Sequence, residues 1–110
     1  MLFSSDEVVI LSFHLSVMRK PVKKGLKKNY GLFEGKRKMK VYDAAMNKIN
    51  AIDSEQEQHV IEFTEDEGAM LQQFLAFYTN ELKATSDNPE EVEQDETFII
   101  LSQINERLTA

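Results

Sequence analysis

The stretch FSSDEVVILSFHL, residues 3–15, is echoed sixty positions later by FTEDEGAMLQQFL, residues 63–75. Aligned without a gap, five of the thirteen positions are identical, including Phe3/Phe63 and Glu7/Glu67. Each copy places a Ser or Thr three residues before a Glu, which is the capping box that starts a helix, and continues with leucines four apart. We therefore predict helices that begin at Ser4 and Thr64, in a chain built from two similar helical hairpins.

The composition favours one helical domain over residues 1–110. Hydrophobic residues make up 42% of the chain, enough for a core, and the scarcity of Gly and Pro disfavours a turn-rich β-sandwich. The absence of Cys excludes disulfides and thiolate chemistry. Apolar runs such as Val8–Leu11 fall far short of the about 20 residues that cross a bilayer. We therefore expect a cytoplasmic protein without a membrane partner.

Apolar spacing predicts four main helices in an all-α, four-helix bundle-like domain of two antiparallel hairpins. The first helix should end at Pro21, because a proline pushes the residue before it away from helical geometry. Apolar residues occupy so wide an arc of this helix that a second copy could cover part of them, which favours a homodimer. The last helix should start at Pro89, with Asn88 or Asp87 as its cap. The expected helices cover about residues 4–20, 38–52, 64–84 and 89–108.

Residues 19–40 form a basic connector between helices one and two. The connector holds ten Lys or Arg and one acid, Glu34, a net charge of +9, while the rest of the chain carries −15. Because the segment also contains one Pro and three Gly, we expect irregular structure here. A short helical turn over 22–30 and a small β-hairpin around Glu34–Gly35 are the alternatives.

Three partners are open for the basic connector: the chain's own acidic surface around 90–96, the acidic surface of a second copy, and the phosphates of nucleic acid. Tyr30 and Phe33 lie inside the connector and suit stacking on bases. Arg is scarce there, which disfavours specific base readout. The candidate residues for an anionic partner are Lys23, Lys24, Lys27, Lys28, Tyr30, Phe33, Lys36, Arg37, Lys38 and Lys40.

Few residues of the sequence form a pattern typical of catalysis or metal binding. The two histidines, His14 and His59, form no metal-ligand spacing, and we expect the first to be partly buried and the second solvated. The acids at 62–67 are explained by helix-start electrostatics, and no phosphate-binding glycine loop is present. We therefore expect no metal, no cofactor and no enzymatic activity.

These patterns predict a small non-enzymatic interaction or regulatory protein, of a kind common in bacteria and their phages. Its expected partner is another protein or a second copy of itself. Nucleic-acid binding through the basic connector is the alternative. An inhibitor whose acidic surface mimics DNA is a remote third.

Overall fold

The computed structural model describes residues 1–52 and 57–109. The described part is mostly helical, which confirms the expected class, but it also holds one two-stranded antiparallel sheet that the sequence patterns did not indicate. Of the polar segment at 53–62, between the second and third expected helices, residues 53–56 lie outside the described residues. In chain order the elements are β1 (Leu2–Ser4), α1 (Ser5–Asn50), β2 (Gln58–Val60), α2 (Glu65–Ala84), α3 (Pro89–Gln94) and α4 (Glu96–Thr109).

Helix α1 is interrupted at Gly31, whose φ of 83° and ψ of −177° are not helical. We call residues 5–30 the first arm and residues 32–50 the second arm. Side chains join the arms in reversed order: Ser12 contacts Asn50, Ser16 contacts Met46, and Arg19 contacts Asp43. The chain therefore reverses direction at Gly31, and the arms run side by side.

The basic connector is helical except at Gly31, so the expectation of irregular structure throughout 19–40 is wrong. So are the helix end at Pro21, the second helix starting only near Lys38, and the β-hairpin around Glu34–Gly35. Proline removes one helical hydrogen bond and is costly inside a helix. Contacts between the arms act on both sides of it, however, and Val22 packs against the core just beyond it. This packing outweighs the local preference of Pro21.

The capping predictions are confirmed at both helix starts. At Ser4 and at Thr64 the hydroxyl accepts from the backbone N–H of a Glu three residues on, and that Glu accepts from the backbone of the cap. Helix α2 ends at Ala84, as expected. The helix expected over 89–108 is instead divided at Asp95, whose extended backbone (φ −67°, ψ 132°) separates α3 from α4.

The core lies where α1, α2 and α4 meet. The leucines of the two related stretches are fully buried in it, together with Tyr42 and Ile49 of the second arm and Leu101 and Ile104 of α4. Strands β1 and β2 pair at one end of this core, with Phe3 opposite His59. Within the described ranges, no helix has a stretch long and apolar enough to cross a membrane.

Candidate functional site: the basic groove of α1

A groove of about 520 Å³ runs between the two arms of α1 close to Gly31. Residues four apart on a helix share one face, so a row from each arm reaches the groove. The first arm supplies Arg19, Lys23 and Lys27, and the second supplies Lys36, Lys40 and Asp43. We call this cavity the basic groove.

Charge in the basic groove is only partly neutralised. Arg19 donates from Nε and Nη2 to the two carboxylate oxygens of Asp43, each at 2.8 Å. The hydrogen bond and the charge of that carboxylate raise the pKa of Arg19. Among the described residues, the four groove lysines form no ion pair. They therefore present positive charge to the solvent.

Arg37, the other arginine of the basic connector, also pairs with an acid of the same chain. It donates to the carboxylate of Glu34 one turn before it, with Nε 3.1 Å from both oxygens. This hydrogen bond lowers the pKa of Glu34. Since both arginines pair with acids, lysines supply the unpaired positive charge of the segment, and a lysine ammonium acts as a compact charge without the forked geometry that reads a base.

Apolar and aromatic side chains surround the turn at Gly31. Phe33 is 86% exposed and Leu32 is 52% exposed. Tyr30, on the other side of the turn, lies under the ammonium of Lys38, with Nζ 4.6 Å from the ring centroid. The turn therefore combines large apolar side chains with the lysines of both arms.

The structure brings together only some of the ten candidate residues. Lys23, Lys27, Lys36 and Lys40 share the basic groove, whereas Lys24 and Lys28 are exposed outside its lining. Arg19 and Asp43 also line it and were absent from the candidates. Once the segment is known to be helical, the four-residue spacing of Arg19, Lys23 and Lys27 is the signal that identifies Arg19. Asp43 lies three residues after Lys40 on the second arm, which places it on the face of that lysine.

The acidic run at 90–96 lies in and beside α3. Its Glu93 pairs with Lys83 of α2, with Nζ and Oε1 2.9 Å apart. Across residues 1–52 and 57–109, no ion pair joins this run to the basic segment at 19–40. The contacts of the described residues therefore do not support neutralisation of the basic connector's charge by this acidic surface.

Neither histidine stands beside the basic groove. His14 is half-buried as expected, with Nδ1 2.9 Å from the Tyr78 hydroxyl, and burial lowers its pKa. His59, expected to be solvated, is buried because the strand pairing places it opposite Phe3, with Nε2 3.3 Å from the Ser5 hydroxyl. In the part of the chain that the structure describes, no three His, Asp or Glu residues gather as a metal site.

The geometry of the basic groove suits electrostatic contact with a large anionic surface. Its lysines lie on two helical arms, and the exposed ring of Phe33 lies two residues past the turn that joins them. Comparison of the chain with protein-family models, with curated proteins and with solved structures finds no match.

Proposed function

We propose that this protein is a small non-enzymatic interaction module that binds an acidic surface of another protein through the turn of α1. The observation that carries the proposal is the placement of Phe33, which is 86% exposed and lies two residues past the turn that joins the two lysine-bearing arms. A large aromatic side chain in this position loses contact with water only when a partner covers it.

The composition of this surface resembles that of protein interfaces. Such interfaces have an apolar, often aromatic, centre and a polar rim. Leu32 and Phe33 supply the centre, and the lysines of the basic groove supply the rim. Positive rim charge speeds association with an acidic partner and selects against basic ones. The acidic remainder of the chain repels such a partner, so attraction is confined to the turn and the arms beside it.

We also infer that the fold is a bundle of two antiparallel helical hairpins, one formed by the arms of α1 and the other by α2 and α4. The second hairpin is supported by contacts in reversed order. The Gln72 amide donates to the Leu108 carbonyl, and the Lys83 ammonium lies 5.3 Å from the Phe98 ring centroid. Such a bundle would hold the turn at Gly31 as a rigid projection.

The proposal is tested by affinity capture from a lysate of the cells that make the protein. The bait is the wild-type chain, Phe33→Ser, or Phe77→Ser, which removes an equally large exposed ring from α2. We expect wild type and Phe77→Ser to retain the same protein, and Phe33→Ser to lose at least about tenfold of it, as for an aromatic anchor. Equal retention by Phe33→Ser, or no retained protein from a folded bait, would contradict the proposal.

Nucleic-acid binding is the second candidate, and the convergence of lysines from two arms on one groove favours it. Phosphate contacts release counterions, so affinity for duplex DNA should fall as salt rises, with a log–log slope of about −3 to −4 if each of four lysines neutralises one phosphate. Both arginines of the segment 19–40 are paired with acids, so we expect little dependence on base sequence.

Fluorescence anisotropy with labelled duplex DNA and RNA across a salt series tests this candidate. Lys36→Glu/Lys40→Glu changes two groove residues, and Lys24→Glu/Lys28→Glu makes the same change in charge outside the groove lining. The groove variant should weaken binding much more than the control. Binding that is insensitive to salt, or equal losses in the two variants, would exclude the groove as a phosphate site.

A further inference from the structure

An exposed apolar stripe runs along the outward face of the first arm. Val9, Phe13 and Val17 are 59%, 61% and 55% exposed. Their four-residue spacing places them on one face of the helix. Leu11 and Leu15 of the same arm are fully buried on the opposite face. The first arm is therefore apolar on both sides, and the core accounts for only one of them.

Two oppositely charged residues flank the apolar stripe, each three residues from the nearer end. Asp6 lies three residues before Val9, and Lys20 lies three residues after Val17. Both are exposed, and neither takes part in an ion pair among the described residues. At 3.6 residues per turn, all five side chains fall within an arc of about 80°. Counted outward from Phe13, the face therefore has the same residue spacing toward either end of the arm: a valine at four residues and a charged residue at seven. The charge is negative toward the N-terminus and positive toward the C-terminus.

We propose that this face is the interface of a homodimer in which two first arms pack antiparallel about a two-fold axis at Phe13. A two-fold interface joins one patch to a copy of itself, so it must be self-complementary. In this arrangement Phe13 meets Phe13 of the partner subunit, and Val9 meets Val17 of the partner subunit. Asp6 then lies opposite Lys20 of the partner subunit at each end.

The symmetry of the face selects a second copy as the occupant. An antiparallel copy matches every apolar residue with an apolar residue and each charge with its opposite. A parallel copy would instead place Asp6 against Asp6 and Lys20 against Lys20, which is unfavourable. A different protein would not require a layout that reads the same in both directions, whereas a two-fold pair of identical chains does.

The size of the patch sets the expected strength of the dimer. Three side chains fall short of the roughly 800 Å² per subunit of a standard interface. A neighbouring groove of about 460 Å³ extends the apolar surface beside Val9 and Phe13 and is also lined by Ile49 and Ile52. We therefore expect a weak dimer with a dissociation constant on the order of 10 µM, near the weak end of the range that interfaces of standard size span.

Charge reversal tests both the surface and its orientation by sedimentation equilibrium. Asp6→Lys alone and Lys20→Asp alone should each weaken the homodimer about tenfold, because both ends then hold like charges. Mixed in equal amounts, the two variants should form a heterodimer at least as strong as the wild-type dimer. The double variant Asp6→Lys/Lys20→Asp should recover a homodimer.

Three controls separate a lost interface from a lost fold. Asp66→Lys makes the same change at the equivalent position of α2, Lys24→Asp makes it one turn beyond Lys20, and neither should change the dimer. Phe13→Ser should abolish the dimer, whereas Phe77→Ser should not. Circular dichroism should show the same helix content in all variants.

Two outcomes would overturn the proposal. One is a wild-type chain that stays monomeric at several hundred micromolar. The other is a dimer that is indifferent to Phe13→Ser or shows no preference for the heterodimer in the mixture. None of these variants touches Phe33 or the lysines of the basic groove, so the result does not depend on the proposed function.

Discussion

Phe3 and Phe63 lie edge to face, with ring centroids 6.1 Å apart and planes 85° apart. They hold equivalent positions in the two related stretches of sequence, each just before a capping box. The capping glutamates are also equivalent in their contacts: Glu7 pairs with Arg107 of α4, and Glu67 pairs with Lys48 of α1. The two helix starts therefore meet in space and are held in the same way, which favours an internal duplication.

Gly31→Ala should destabilise the protein by about 1–3 kcal/mol, because only glycine readily adopts its backbone conformation. Its φ is 83° and its ψ is −177°, and a Cβ there would have no neighbour within 4 Å, so any loss comes from the backbone. Urea unfolding followed by circular dichroism measures the change. Gly25→Ala is the matched control, since it lies in helical backbone with equal open space and should stabilise by about 0.5–1 kcal/mol. Equal effects of the two variants would show that the turn does not depend on Gly31.

Gly35→Ala should separate the arms and cost about 1–3 kcal/mol, as in other overpacked sites. A Cβ at this buried position would lie 3.0 Å from the Lys27 Cα and 3.1 Å from the Leu26 carbonyl oxygen. Both are backbone atoms, which cannot turn aside as a side chain does. The same urea experiment measures the loss, again with Gly25→Ala as control. A neutral result would mean that the arms tolerate a wider spacing at this point.

Pro21→Ala should stabilise the protein by about 1–2 kcal/mol. Alanine restores the missing backbone N–H, and a proline inside a helix costs about 3 kcal/mol, part of which is offset because proline also restricts the unfolded chain. The thermal midpoint and the free energy of unfolding should both rise. A loss of stability would instead show that the helix needs the shape that Pro21 imposes, where it borders a groove with Met18 and Phe77.

The pair Lys48–Glu67 should make stability depend on pH in the acidic range. Burial alone raises the pKa of Glu67, but the Lys48 ammonium and the Thr64 N–H and hydroxyl outweigh it and hold the pKa below the ordinary value of 4.5. A carboxyl whose pKa is lower in the folded state stabilises the fold above its unfolded pKa. This contribution is lost as the pH falls from 4.5 through the folded pKa.

Glu67→Gln should remove that part of the pH dependence while the amide keeps a capping contact. Lys48→Met should cost about 1–3 kcal/mol at pH 7, because a nearly buried carboxylate loses its cationic partner. Unfolding free energies measured from pH 7 to pH 3 test both variants. An unchanged slope between pH 4.5 and pH 3 in Glu67→Gln would show that other carboxyls cause the acid sensitivity.

Local chemistry explains which predictions succeed. The capping boxes at Ser4 and Thr64 and the end of α2 at Ala84 depend on residues within one or two turns, and their patterns are present in the sequence. The same is true of the buried leucines, whose spacing follows the period of the helix. The candidate lysines could be chosen because they cluster in the sequence. Which of them line the groove and which face outward could be decided only once the segment was known to be helical.

The sequence by itself determined that the chain is mostly helical, where α2 begins and ends, and that the leucines of the two related stretches are buried, because these features follow from short-range hydrogen bonding and apolar period. Only the tertiary structure decided that α1 continues through Pro21 and reverses at Gly31, and that His59 is buried opposite Phe3. These features depend on contacts between residues far apart in the chain, such as Arg19 with Asp43. The free energy of such contacts can exceed the local preference of a single proline or glycine, and no short window of sequence contains both partners.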